Sequence, residues 1–501
     1  MRIRTYQVAL VLIFIASVII RIPNFNRPLS KHHEFNAAMV LIGIDHWTEN
    51  GGPSSTFYCP VLNYNNEGDR NLDLQTSLLT DKKGNLIYAS FGAGWFLYPY
   101  YFFKLFGLTP SVATLTIFNV VLSLICMLLV FFIARKVFSE QDSTQPIKSL
   151  VTVFIFVLNP CTLWYNGNGY VHEVMVLPFF LMQVNLFIDF LKDGTKLSKS
   201  RLLFYFIVTV LGVFSDWLCI VWLMVTFIYA MRKVAAERKW LSYLMVAFAA
   251  GLFSVLLVVL HYGYYLGVSD YITALAERYQ SRGFLNINIQ SAVYMLLKVG
   301  KHYLTSYSSV LLLFAIAGIV SLFRYVKRKE SASPLPVFSK QIIFLALATA
   351  FLHHILFIEF SSVHEYSVFK SSLFLSLASC ALLFAYRIPI RIILVVFFTA
   401  SLFQYYYINR IGEISFNGDR YDYTAVTGKI INQNAKADEV VFVDDSQMRP
   451  QISYYAKRTI LNASTLKEAK LVLRQQPGKQ KGVWFEIENG KVSSVVHFGI
   501  D

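Results

Sequence analysis

The sequence predicts a mainly α, polytopic membrane protein with about eleven membrane-spanning helices and a small C-terminal α/β domain. Three observations predict it. The chain is 55% hydrophobic and only 15% charged, where a soluble domain carries about a quarter charged residues. Apolar runs of spanning length recur through residues 1–408. Lys and Arg cluster in short loops between those runs, the placement expected of cytoplasmic loops. The net charge of +15 therefore reports membrane topology, and no nucleic-acid partner is expected.

The elements follow in order. Residues 8–22 form the first span, and Arg2 and Arg4 ahead of it place the N-terminus in the cytoplasm. This run resembles a signal peptide but lacks a small-residue cleavage site, so it is expected to be retained. Residues 23–110 form a long first extracytoplasmic loop. Both ends of that loop read as amphipathic helices lying flat at the bilayer surface. Residues 111–134, 150–164 and 174–191 are spans two to four, and Arg135 and Lys136 mark the inside. Residues 202–214 are span five, and span six ends at residue 231. They turn at Ser215-Asp216-Trp217.

Residues 241–260 form span seven, which opens into a second long outer loop, residues 261–307. That loop holds a surface helix around SDYITALAERYQSRG. Span eight ends at residue 323, span nine covers 342–358, and the outer segment EFSSVHEYSVFK follows. Span ten ends at residue 386, and residues 392–407 deliver the tail outside. The short outer loops 166–173, 215–217 and 359–367 contain no Lys or Arg, so one alternation satisfies the charge rule throughout. The expected location is the inner cell membrane, multi-pass, with the site and C-terminus extracytoplasmic.

Residues 409–501 change to soluble composition. EVVFVDD reads as a buried strand, and QISYYAKRTI as a short helix and a strand. Thr465 and Glu468 have capping-box spacing ahead of the helix TLKEAKLVLRQ. KGVWFEIENGKVSSVVHFG reads as a hairpin around Asn489-Gly490, a type I′ turn signal.

The outer face collects four acidic or His-rich points, far apart in sequence. These are His32-His33-Glu34, His172-Glu173, Asp216 and His364-Glu365-Tyr366. The spans themselves are nearly free of ionisable groups, because burying charge in a bilayer costs at least a few kcal/mol. Each point has a plain structural reading. Glu34 suits a helix N-terminus, His172-Glu173 a helix cap, Asp216 a turn, and His364-Glu365 a hydrogen-bonded boundary pair. Their common membrane face is what argues for a shared cavity. His and carboxylate together also suit a divalent metal such as zinc, although the spacing does not demand one. The five cysteines show no metal or CxxC spacing and read as packing residues. Lys104, in the aromatic run WFLYPYYFFKLFG, is a candidate anion contact. Arg278, Arg282, Lys298 and Lys301 are candidates to neutralise a lipid phosphate, or are surface charge facing headgroups.

Several motifs together resemble the GT-C membrane glycosyltransferases, particularly the protein O-mannosyltransferases and lipid A aminoarabinose transferases. They are His33-Glu34-Phe35-Asn36-Ala37 after the first span, Tyr98-Pro99-Tyr100 through Phe106-Gly107, and Ala134-Arg135-Lys136. Glu173 near Pro178, the His364-Glu365-Tyr366 motif and the outer tail complete the set. The resemblance implies a sugar donor on a polyprenyl phosphate or diphosphate, and an acceptor glycan, lipid or protein. It implies inverting transfer in a single displacement, within a setting of membrane lipids. Glu34 becomes the base with His33 beside it. His172, Glu173 and Asp216 position the acceptor or a metal. His364 and Tyr366, with the basic residues of the long loop, hold the lipid phosphate. One departure stands out: those families usually begin the first motif with Asp-Glu, and His33 occupies the Asp position here, so either Glu34 or His33 takes the base's role, or the acceptor differs in kind.

Two other classes compete with this reading. A multipass transporter would show broken helices in matched halves and mid-membrane charges. Another membrane transferase is the second, such as a glycan ligase, or an O-acyltransferase using His353-His354. A structural assembly subunit would use none of these residues.

Overall fold

A computed structural model of the 501-residue chain describes residues 3–29, 33–73, 79–138, 143–167, 169–193, 197–283, 287–326, 335–408, 419–444, 449–488 and 491–500. His32, the domain boundary expected at residue 409, parts of the basic loops and the Asn489-Gly490 turn lie outside the described residues.

Every expected span is built on helix. The helices are α1 Ile3–Arg21, α2 Phe35–Glu49, α3 Gly94–Phe106, α4 Val112–Val137, α5 Gln145–Leu158 and α6 Pro160–Tyr165. They continue with α7 His172–Lys192, α8 Lys199–Val213, α9 Leu218–Val234, α10 Lys239–Leu266, α11 Val268–Arg282 and α12 Ile289–Val326. Then come α13 Val337–Leu356, α14 Ile358–Val363, α15 Ser372–Ala385 and α16 Ile390–Phe403. Among the described residues, 7 helical segments are long and apolar enough to cross a membrane. They include α4, α7, α10, α13 and the continuous run Glu365–Ala385. The protein is a multipass membrane protein. At 15 and 17 residues, α8 and α9 are short for a full crossing.

Three expectations need correction. Residues 150–164 are not one span: Asn159 accepts from the Thr162 N–H at 2.9 Å and Pro160 opens a new helix. An N-cap followed by proline at the first helical position restarts the chain in a new direction. The second long loop is mostly helix. Its surface helix is α11, while α12 already starts at Ile289 and bends at Tyr307, whose φ of −131° leaves the helical region. Finally, α2 lacks the amphipathic pattern expected of it, because apolar and polar positions alike are buried around nearly its whole circumference.

The described part of the tail is a four-stranded sheet in the order β4-β3-β5-β6. Its strands are β3 Val440–Val443, β4 Ile460–Asn462, β5 Lys481–Glu488 and β6 Lys491–Gly499. A small hairpin, β1 Leu79–Thr80 with β2 Leu86–Ile87, lies in the first loop. β3 runs parallel to β4 and β5, and β6 pairs antiparallel with β5. Parallel strands need cover on both faces. Helices α17 Asp419–Asn434 and α18 Arg449–Ala456 supply Ile431 and Ile452 on one face. Helix α19 Leu466–Gln475 supplies Ala469 and Leu473 on the other, joined there by Leu72 of the first loop. The Thr465 hydroxyl accepts from the Glu468 N–H, as expected, while the Glu468 carboxylate accepts from the Ser464 N–H.

The tail is docked on the first loop. Arg458 pairs with Asp69 (Nε to Oδ2 3.0 Å), both buried, and the Thr459 N–H donates to Asp69 Oδ1 at 3.0 Å. A Cβ on Gly68 would stand 2.0 Å from the Glu439 carbonyl oxygen, so only glycine permits this approach. Lys457 pairs with Asp45 of α2, against which α18 packs.

Candidate active site

A cavity of about 470 Å³ lies where α2, α11, α13, the turn after α8 and the segment Glu365–Ser371 meet. Phe35, Tyr88, Phe91, Trp217 and Phe360 give it an apolar wall. His172, His353, Lys370, His364, Arg278 and Arg282 supply its polar groups.

The deepest group is built from residues hundreds of positions apart. His172 and Glu173 open α7, where the helix dipole favours a carboxylate. Asp216 sits in the turn between α8 and α9 and accepts from the Leu218 N–H at 2.7 Å through Oδ1. That turn is pressed by the start of α3. The Gly94 N–H donates to the Phe214 carbonyl at 2.8 Å, and a Cβ on Gly92 would stand 2.2 Å from the same oxygen. His172 Nδ1 lies 2.5 Å from Asp216 Oδ2 and 3.1 Å from Glu173 Oε2. With carboxylates on that side, Nδ1 carries the proton and donates, which leaves Nε2 as the acceptor nitrogen. The ring stacks on Phe91 at 3.9 Å between centroids. Burial works against the charge on Asp216, but Lys370 and His172 more than offset it and hold the carboxyl well below the usual range.

Lys370 completes the group. Its ammonium lies 3.3 Å from Glu173 and 3.5 Å from Asp216, and donates to His353 Nε2 at 2.7 Å. These five residues are at most 3% exposed. His172, Glu173 and Asp216 offer ligand atoms within 4.8 Å of one another, so by donor type they form a candidate metal centre. The Lys370 ammonium beside both carboxylates opposes a second cation there.

The cavity lining also carries two guanidinium groups. Arg282 Nη1 donates to His364 Nε2 at 3.0 Å, and Arg278 lies over the Tyr88 ring at 5.7 Å. Burial, with His33 and Arg282 nearby, pushes the His364 imidazole well below its ordinary pKa, so it is a neutral acceptor for the guanidinium. Burial also lowers the Arg278 pKa. His364 stacks on Tyr366 at 5.0 Å, and His33 meets the Tyr366 ring edge-on at 5.1 Å.

The structure thus brings together His33, His172, Glu173, Asp216, His364, Tyr366, Arg278 and Arg282. It separates four expected members. Lys104 and Lys301 are exposed and lie outside the cavity lining, so neither fits an anion contact there. Lys298, half-buried and also outside the lining, lies over the Tyr294 ring instead. Glu34 is fully buried beside the cavity rather than lining it. Arg27 Nη1 reaches Glu34 Oε2 at 2.9 Å, and Nη2 pairs with Oε1. Both carboxylate oxygens are thus engaged by one guanidinium, away from the cavity lining. Glu34→Gln is therefore expected to destabilise the fold by about 3 kcal/mol, as loss of one partner of a buried pair does. Turnover of the folded variant should stay within a few-fold. Thermal unfolding and a kcat measurement separate the two effects. A stable variant without turnover would return the base to Glu34.

Sequence reasoning passed over Lys370, although it closes the outer segment EFSSVHEYSVFK. A lysine next to an apolar run reads as a topology marker. Its burial becomes visible only with α13 and α7 packed around it.

No protein-family model matches the chain, and no curated protein matches it. Solved structures do. The apo oligosaccharyltransferase of Archaeoglobus fulgidus superposes with a TM-score of 0.57 at 13% identity, covering 96% of this chain and 69% of that one. The same enzyme in complex with Zn and sulfate gives 0.56 at 15% identity, over 95% of this chain and 68% of that one. ArnT from Cupriavidus metallidurans bound to undecaprenyl phosphate gives 0.56 at 9% identity, over 97% and 93%. The chain has the GT-C fold shared by the oligosaccharyltransferase and the aminoarabinose transferase.

Proposed function

We propose that the protein is a glycosyltransferase that moves a sugar from a polyprenyl-phosphate-linked donor to an acceptor hydroxyl on the extracytoplasmic side of the membrane. The observation that carries this reading is the pairing within one cavity. His172, backed by Asp216, and the Arg278, Arg282 and His364 group line the same space. The first can accept a proton and the second can hold a phosphate. The GT-C fold and the undecaprenyl phosphate bound to ArnT support the lipid-linked donor.

In the proposed reaction the acceptor oxygen attacks the anomeric carbon. His172 Nε2 takes the hydroxyl proton as the new C–O bond forms. The bond from the anomeric carbon to the phosphate oxygen breaks, and the polyprenyl phosphate leaves with the electron pair. Arg278 and Arg282 offset the developing charge, and attack opposite the leaving group inverts the configuration. Asp216 fixes the His172 tautomer, as the buried carboxylate partner of a catalytic imidazole does.

Purified protein given a radiolabelled polyprenyl-phosphate-linked sugar should consume the donor and release the polyprenyl phosphate. Arg278→Ala and Arg282→Ala should each raise the donor KM by about tenfold, the loss of one charge-assisted hydrogen bond. Movement of an intact labelled donor across vesicles, without consumption, would support the transporter instead.

A further inference from the structure

The deep cluster holds two carboxylates, two imidazoles and one lysine. Lys370 Nζ is within 3.5 Å of both the Glu173 and Asp216 carboxylates and 2.7 Å from His353 Nε2. It is also part of the cavity wall. We infer that Lys370 is a built-in replacement for a divalent cation, a positioning residue that makes this site metal-independent. The inference rests on the transferase reading for its consequences, but its central claim concerns metal binding and is tested without turnover.

Three observations support it. A divalent ion and an ammonium share a preference for the same place, between two carboxylates. Two buried carboxylates at this range cannot both stay ionised without a cation, and Lys370 is the cation in contact with both. The nitrogen that faces both carboxylates is already engaged: His172 Nδ1 is hydrogen-bonded to Asp216 Oδ2 at 2.5 Å and lies 3.1 Å from Glu173 Oε2. A metal taking the Nδ1 lone pair would have to displace the proton that fixes Nε2 as the acceptor nitrogen. Lys370 supplies the charge and leaves that proton in place. His353, at the end of α13, receives one Lys370 proton donor and so sets the direction of the ammonium.

The test uses the full chain in detergent or nanodiscs, with any affinity tag removed. Wild-type protein purified without added metal should hold well under one equivalent of Zn, Mn or Mg by elemental analysis. Its melting temperature should not move with micromolar Zn²⁺ or Mn²⁺. Lys370→Met removes the ammonium at similar volume and leaves the three ligands, so its melting temperature should rise by several degrees with the same ions. Lys370→Arg keeps the charge and should stay insensitive. Stoichiometric metal in the wild type, or a wild-type shift equal to that of Lys370→Met, would overturn the inference, as would a folded Lys370→Met that binds no metal. If Lys370→Met does not fold, Lys370→Gln takes its place, and the wild-type arm stands by itself. Failure of donor consumption with an intact metal result would instead count against the transferase reading.

Discussion

His172→Gln is expected to lower kcat by about 10²–10⁴-fold, the usual contribution of a positioned base, with the donor KM within a few-fold of wild type. The split follows from the geometry. His172 lines the cavity backed by Asp216, whereas Arg278, Arg282 and His364 form a separate group in the same lining, with Arg282 hydrogen-bonded to His364. Asp216→Asn should reproduce much of this loss, because an amide can accept from Nδ1–H or donate to Nδ1, and the second arrangement turns Nε2 into a donor. Single-turnover rates with saturating donor measure the effect directly. A folded His172→Gln variant with wild-type turnover would remove the imidazole from the reaction.

The second large effect is on architecture. Arg458→Ala leaves Asp69 buried with its guanidinium partner gone, and the Asp69 carboxylate then keeps only the Thr459 N–H and the Asn66 side chain. Removing one member of a buried pair costs about 3–5 kcal/mol. Arg458 also donates to the carbonyls of Lys436 and Glu439, so the tail loses internal bonds as well as its grip on the first loop. Limited proteolysis should release a fragment spanning the tail from Arg458→Ala long before it does from wild type. Equal protease resistance would mean that the apolar contacts around Leu72 hold the tail without the ion pair.

The helical skeleton was legible from the chain because apolar periodicity and basic loops speak directly to a bilayer. The tail strands were legible because β-branched and aromatic runs ended at turn residues. Convergence of the outer-loop points was foreseen from topology alone, and His172, Asp216, His364 and Tyr366 do meet. What the chain does not disclose is which partner each acid takes. Glu34 and Asp216 are similar in sequence context, and only the fold shows that Arg27 takes the first while His172 takes the second. Lys104 and Lys301 illustrate the converse. Their charge suits an anion, but both side chains end at the surface.

Helix α2 has the reaction chamber on one flank, through Phe35, Asn36 and Met39, and the tail helix α18 on another. One helix diameter, about 10 Å, is all that separates the two. A partner that grips the tail therefore leans on the same rod that shapes the chamber. Substitutions where α18 meets α2 should therefore be felt in the kcat of the folded variants, although none of these tail residues lines the cavity.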